Sequence, residues 1–446
     1  MATEAVTSAP GGAPAGGERP LAPDVVLMLA TKISLLALNL GITIVVARSL
    51  GPTGRGAVAV AFSFTLLLIQ FGSLGVQTAN PYFAARHPES IGRIVANTLW
   101  FASLAGLALI GVGLLVKGLF PAALRGLGWL DIAIVLVGLP AALASQLFQS
   151  ILLAEGRMKA YNGIEFGNVL SIFVLLIVGY VAFDMGVTGT VAVMVGVNVV
   201  TASTYLALLL RHQPPLGSVD TDLIRRMLRY GFRIYVAALS AYLVGRVNLI
   251  LVNSLLGGAS AGLFAVCVAL AEGMFVFPAV VALNLFPRVA RSNDYSQSAA
   301  VFRNVAVFFA AFCLVTIPLA APGIRLLFGG EFEGAETIYY WMLPGIFSYG
   351  MLNILSHHFA GRGFPLEAVL VWVPGVAVNL LIIVLFLPGH EAWIAALASS
   401  VAYVLILLLH MRLFAKESGG YRSLVPRPRE FIDVFRGLLN NVLRSS

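Results

Sequence analysis

Charge is what this sequence has least of. Asp, Glu, Lys and Arg make up 11% of its 446 residues, where a soluble domain carries about 25%. A water-facing surface cannot be built from so few charges, so a soluble globular fold is excluded. Cysteine is nearly missing as well. Cys267 and Cys313 both sit inside apolar runs, which leaves no disulfide framework and no thiolate metal site. Long polar segments between the apolar runs are missing too, and no connection is large enough for a folded catalytic domain. Without a metal-ligand cluster, a nucleophile triad or a phosphate-cradling glycine loop, the chain is not expected to be an enzyme.

What is abundant is apolar length. Hydrophobic residues make up 59% of the chain, and many runs exceed the roughly 18 residues that cross hydrocarbon as a helix. The reading is an all-α polytopic membrane protein of about twelve spans. Those the argument needs are the first (24–48), second (56–79), fourth (130–154), seventh (231–255), eighth (260–285) and tenth (337–360). The first is too long in its apolar core, and lacks the small-residue cleavage site, to be a signal peptide. Residues 1–23 read as a disordered tail, 24–210 as one bundle of six spans, 211–230 as a basic linker helix, 231–414 as a second bundle, and 415–446 as a tail. Phe431, Ile432, Phe435, Leu438, Leu439 and Val442 in that tail follow helical spacing opposite Arg429, Asp433, Arg436 and Asn440, the pattern of a helix lying in the membrane interface.

The basic residues fall unevenly. With both tails on one side, 20 of the 28 Lys and Arg lie in segments on that side and five on the other. The positive-inside rule therefore puts both termini in the cytoplasm. The net charge of +8 is then an inner-surface feature, and nucleic acid is not expected as a partner.

One stretch occurs twice. Sliding the sequence by 206 positions brings Leu50-Gly51 onto Leu256-Gly257, Gly56 onto Gly262, Ala59-Val60 onto Ala265-Val266, Pro81 onto Pro287 and Ala84 onto Ala290, without a gap. A turn and a terminal proline in register imply two homologous halves, each built on a hairpin of membrane helices.

The turn SLGPTGRG opening the second span, the run RYGFRIYVAALSAYLVGRVNLILVNSLLGGASAGLFAVCVALAEG with LFPRVAR, and Pro140 before LLAEGRMKAYN, matched by Pro344 before FAGRG, resemble the bacterial polysaccharide and O-antigen flippases of the multidrug/oligosaccharidyl-lipid/polysaccharide exporter superfamily. The likeness covers roughly residues 24–415. It implies two pseudo-symmetric six-helix bundles around a central cavity that alternates between the two membrane faces. It also implies a polyprenyl-pyrophosphate-linked glycan as cargo, membrane lipids and other polysaccharide-assembly proteins as neighbours, a monomer, and no cofactor beyond an H+ or Na+ gradient. The family often carries an acidic residue where this chain has Asn248, so no ion-coupling role is carried over to that position.

Such a cargo needs a wet, polar path for its head, and ionisable groups in a span are costly unless they face a cavity or a partner. Lys32 lies about 8 residues into the first span, roughly 12 Å deep, and shares a face with Asn39 and Thr43. Arg246 lies near the middle of the seventh span, with Tyr235, Tyr242 and Asn253 on its face. Its guanidinium suits bidentate contact with phosphate. Glu272, in the eighth span, differs from it in depth by only about 4 Å, so the two are expected to pair when the cavity is empty. The second span carries a polar stripe, Ser63, Gln70 and Gln77, with Ser73 and Asn80 beside it, expected to meet sugar hydroxyls or to bond between helices. Gln146, Gln149, Ser150, Asn353 and His357 are weaker candidates. Pro140, Pro278, Pro344 and Pro374 interrupt spans and permit bends. The alternatives to a lipid-linked oligosaccharide flippase are a lipid II flippase, typically of fourteen spans, and a drug/cation antiporter, which wants acidic rather than basic groups in its core.

Overall fold

The computed structural model describes residues 21–212, 217–291, 295–362 and 365–425. The expected tail over 1–20 and the amphipathic C-terminal helix from Pro426 fall outside the described residues. Everything described is helix, turn or short connection, with no strand among the described residues. Hydrocarbon offers the backbone no hydrogen-bond partners, and a helix is the element that satisfies every backbone group within itself.

The first half runs α1 (Leu21–Ser73), α2 (Val76–Arg86), α3 (Ile91–Leu119), α4 (Trp129–Ala154), α5 (Met158–Phe183) and α6 (Val187–His212). The second runs α7 (Thr221–Leu256), α8 (Gly258–Arg291), α9 (Tyr295–Phe328), α10 (Ala335–Gly361), α11 (Leu366–Leu370), α12 (Trp372–Phe386) and α13 (Trp393–Ser418). All twelve expected spans fall on these helices. Nine stretches among the described residues are long and apolar enough to cross a membrane. The first of them, Ile33–Ser73, has 41 residues, roughly 60 Å of helix, and holds two spans. α10 falls short of that measure because it mixes polar side chains into its apolar run, among them Tyr339, Tyr349 and Asn353.

The 206-residue repeat is visible in the backbone. Gly51 breaks α1 into 21–50 and 52–73 with φ 63 and ψ −175, and Gly257 separates α7 from α8 with φ 93 and ψ 175. Only glycine takes such angles without strain. Pro52 then opens the second part of α1 at a position where its missing N–H is no loss. The equivalence fails one span later. The second part of α1 ends at Leu74 (φ 43) and Gly75 (φ 83), and the chain restarts as α2, whereas α8 runs unbroken through the matching positions.

Helices pack mainly within their own half: α4 against α3, α2 and α6, and α10 against α8, α9 and α13. The halves meet where α1 crosses α8 and where α7 lies along α1 and α2. The α1–α8 crossing is as close as backbones allow. A Cβ on Gly56 would collide with the Gly258 carbonyl oxygen, and one on Gly262 with the Pro52 carbonyl oxygen. These four positions are related in pairs by the repeat.

The basic segment expected as a linker helix does not stand apart. From Thr221 it is continuous with the seventh span, giving one helix of 36 residues. Asp220 caps it, accepting a hydrogen bond from the Leu223 N–H at 2.9 Å, the usual service of an aspartate at a helix start.

Candidate functional site

The charged groups in the middle of the molecule converge between the two halves. α7 places Arg246 and α8 places Glu272 so that an Arg246 Nη donates to a Glu272 carboxylate oxygen at 2.5 Å. The guanidinium also stands over the Phe62 ring of α1, 5.9 Å from its centroid. The expectation from their depths, that these two residues of neighbouring spans meet, agrees with this geometry.

Arg55 joins them. α1 resumes at Pro52, one turn earlier than the expected start of the second span at 56. Arg55 is therefore a helical residue, and Phe62 lies two turns further along the same face. Glu272, Tyr180 and Arg246 are within its electrostatic reach. Its Nε is closed off from solvent and makes no hydrogen bond. Two guanidiniums thus lie within electrostatic reach of one carboxylate, which pairs with Arg246, and a buried donor is left without an acceptor, an arrangement that favours an anion. One signal pointed to it: the seven-residue stripe of Ser63 and Gln70, extended backwards, reaches Gly56 beside Arg55.

Next to this cluster the second half forms a half-open cavity of about 340 Å³. α7 contributes Tyr242, Gly245 and Arg246, α8 Glu272 and Phe275, α10 Tyr349, and α13 Ser399 and Tyr403. A cavity between the bundles was expected. The one lined by Arg246 and Glu272 lies inside the second bundle, at the side that faces the first.

The remaining candidates are dispersed. The Lys32 side chain lies outside the described residues. Asn39 is exposed and donates to the Leu35 carbonyl of its own helix at 2.7 Å, and Thr43 bonds back to the Asn39 carbonyl at 3.0 Å. Gln70 is buried in the second part of α1. Gln77 is not on the same helix, because the break at Leu74–Gly75 moves it onto α2, where it accepts from Gln146 at 2.9 Å. Asn80 is fully buried, donating to the Leu147 carbonyl at 3.1 Å and accepting from Thr98 at 3.2 Å. These amides hold α2 to α4 and α3. Ser150, Asn353 and His357 bond within their own helices.

Asn248 is placed in a different surrounding from Arg246. It is 1% exposed, and its amide donates to Asn379 of α12 at 3.0 Å and to Ser399 of α13 at 2.7 Å. Asn379 donates back at 2.6 Å. The closed set ties three helices of the second half together, with Ser399 forming part of the cavity wall.

Both ends of α7 are fastened to the first half. At one end the Asn97 amide clamps the Asp220 backbone, donating to its carbonyl at 3.0 Å and accepting from its N–H at 2.8 Å. Tyr82 stacks on Tyr230 with centroids 4.1 Å apart, and the Tyr235 hydroxyl donates to the Phe71 carbonyl at 3.1 Å. At the other end Asn253 donates to the carbonyls of Ala123 and Arg125 at 3.3 and 3.0 Å. Beside it Arg48 of the first half donates to the last carbonyls of α9, those of Leu327 and Leu326, at 2.9 and 2.5 Å.

Comparison with known proteins follows from this geometry. Residues 24–293 match the family described as "Polysaccharide biosynthesis protein". No curated protein matches the sequence. Among solved structures, the lipid II flippase MurJ in an inward closed conformation is similar at a TM-score of 0.72, with 14% identity over 88% of this chain and 90% of that one. A multidrug resistance MATE family transporter of the MOP superfamily is similar in its inward-facing conformation at a TM-score of 0.64, with 14% identity over 86% of this chain and 95% of that one. An outward-facing structure of such a transporter is less similar, at 0.54, with 15% identity over 88% and 95%. Identities this low speak for the fold alone.

Proposed function

We propose, from the premise that this chain belongs to the polysaccharide biosynthesis protein family, that it is a flippase carrying a polyprenyl-pyrophosphate-linked oligosaccharide from the inner to the outer leaflet for cell-surface polysaccharide assembly. One observation carries the reading: Arg246 pairs with Glu272 inside a membrane helix bundle, with the Arg55 guanidinium in electrostatic reach of both. A diphosphate offers oxygens to both guanidiniums and an acceptor to the orphaned Arg55 Nε. When it enters, Glu272 gives up Arg246 to it. When it leaves, the Arg246–Glu272 pair re-forms, so neither charge is left without a partner within a membrane span. The polyprenyl tail needs no such site, since hydrocarbon already solvates it.

The distribution of Lys and Arg supports placing both termini in the cytoplasm. The Asn253 and Arg48 contacts then close the outer face, in line with the greater likeness to inward conformations. An antiporter of organic cations is the weaker reading, because a cation would meet two guanidiniums. Lipid II is a narrower version of the same cargo class, and the likeness to the MurJ fold is what favours it.

The test replaces Arg246 by Ala and, separately, Arg55 by Gln in cells that depend on this chain for surface polysaccharide. Surface glycan should disappear and its lipid-linked precursor accumulate, with unchanged amounts of protein in the membrane by immunoblot. Undiminished export by Arg246→Ala would refute the reading.

A further inference from the structure

The cavity in the second half has features that binding a diphosphate does not use. Tyr242, Tyr349, Tyr403 and Phe275 line it alongside Arg246, Glu272 and Ser399. The rings do not lie in parallel stacks. Tyr349 meets Tyr403 at 5.0 Å and 56°, and Phe275 meets Tyr349 at 4.6 Å and 55°, which makes an aromatic corner. Buried tyrosine hydroxyls usually find a partner. Among the described residues the hydroxyls of Tyr242, Tyr349 and Tyr403 make no hydrogen bond, although Tyr403 is only 9% exposed. Between these groups the lining is apolar, with Phe264, Val268 and Ile346.

A ligand that suits this lining needs an apolar face for the rings and a rim of hydroxyls for the tyrosines, Arg246 and Glu272. A lipid tail would leave the three tyrosine hydroxyls unpaired. A flat organic cation would have to displace Arg246 from the carboxylate it already holds. A sugar ring has both surfaces. The volume of about 340 Å³ sits at the low end of the roughly 300–1,000 Å³ of small-ligand pockets, which suits one ring better than a chain of them.

We infer that this cavity is a saccharide subsite, which takes the sugar ring next to the diphosphate while Arg246, on its wall, bridges ring and phosphate. The inference rests on the flippase reading above. It places the discrimination between glycosylated and bare lipid carrier in the second half, at Tyr349 and Tyr403. Loading the ring seats the diphosphate against Arg246, so an empty carrier lipid is held less well than a charged one.

The test uses the purified full chain in lipid nanodiscs. The probes are geranyl diphosphate and the same molecule carrying one hexose, one N-acetylhexosamine or one deoxyhexose on its terminal phosphate. The readout is the ratio of Kd for the bare probe to Kd for the best glycosylated one. The native chain should give a ratio of at least tenfold, Tyr403→Phe, which keeps the ring, about threefold, and Tyr349→Leu about one. Arg246→Gln should weaken binding of every probe. If Tyr349→Leu does not fold, Tyr403→Phe carries the test. A native ratio near one, or a ratio unchanged in the tyrosine variants, overturns the subsite and leaves the flippase reading standing. Probe binding that ignores Arg246→Gln overturns the flippase reading itself.

Discussion

Arg246 and Glu272 are 2.5 Å apart, but their side chains are 22% and 49% exposed. A pair that wet is closer to a surface ion pair than to a buried one, and such pairs hold together with about 1 kcal/mol or less. Weakness is what the mechanism asks of it, since the carboxylate must release the guanidinium whenever a diphosphate arrives. Glu272→Gln removes the competing charge and should tighten geranyl diphosphate binding by up to about fivefold, the equivalent of that 1 kcal/mol. It should slow delivery of cargo, because nothing then takes Arg246 back. Binding weakened by Glu272→Gln, measured in nanodiscs, would mean the carboxylate supports the ligand rather than competing with it. At this scale the sequence located Arg246 and Glu272 by depth counting. It missed Arg55 because a proline-opened helix starts one turn before its apolar run does.

At the scale of elements, the deciding feature is where helices stop. The break at Leu74–Gly75 puts Gln77 and Asn80 on a separate helix and brings Gly75 against the backbone of Gly231 in α7. Gly75→Ala demands a left-handed residue with a side chain, at about 1–3 kcal/mol of strain, and drives its Cβ into Gly231. The thermal midpoint of the purified protein should fall by several degrees, and more than for Gly163→Ala, where a Cβ meets nothing within 4 Å. Equal midpoints would show that the α2–α7 contact contributes little. α7 itself is one helix of 36 residues, about 54 Å long at 1.5 Å per residue. It carries Arg246 in its span, and both its ends are fastened to the first half. The amphipathic pattern of 221–230 was legible in sequence. Its continuity with the span was not, since Gly231 at the junction reads as a helix end, whereas the structure carries it inside one helix.

For the whole molecule, the two halves are held together at both faces, so moving the cargo requires one set of contacts to open while the other holds. At the face bearing Arg48 two residues act as latches: Arg48 on the end of α9, and Asn253 on the turn Pro121–Leu124 and Arg125. Hydrogen bonds of this kind contribute ~1 kcal/mol each, and somewhat more where the donor is charged. Arg48→Ala combined with Asn253→Ala should therefore shift the population towards a state open on that face. In intact cells carrying Ala271→Cys on the cavity wall, a membrane-impermeant maleimide should label the latch variant at least fivefold faster than the chain with native latches. The native cysteines are buried and should stay silent. Equal labelling rates would show that the Gly56–Gly262 crossing alone keeps the face shut.

The sequence by itself determined the membrane class, the twelve spans, the duplication and the identity of one charged pair. Each of those follows from apolar length, periodicity or depth along a helix, quantities a linear chain carries openly. The tertiary structure decided which polar side chains face a cavity and which only join helices. Asn248 and Arg246 are two residues apart on one helix, and a rotation of about 200° sends one into a closed amide network and the other to the cavity wall. That difference depends on what the neighbouring helices present, and no single helix records it.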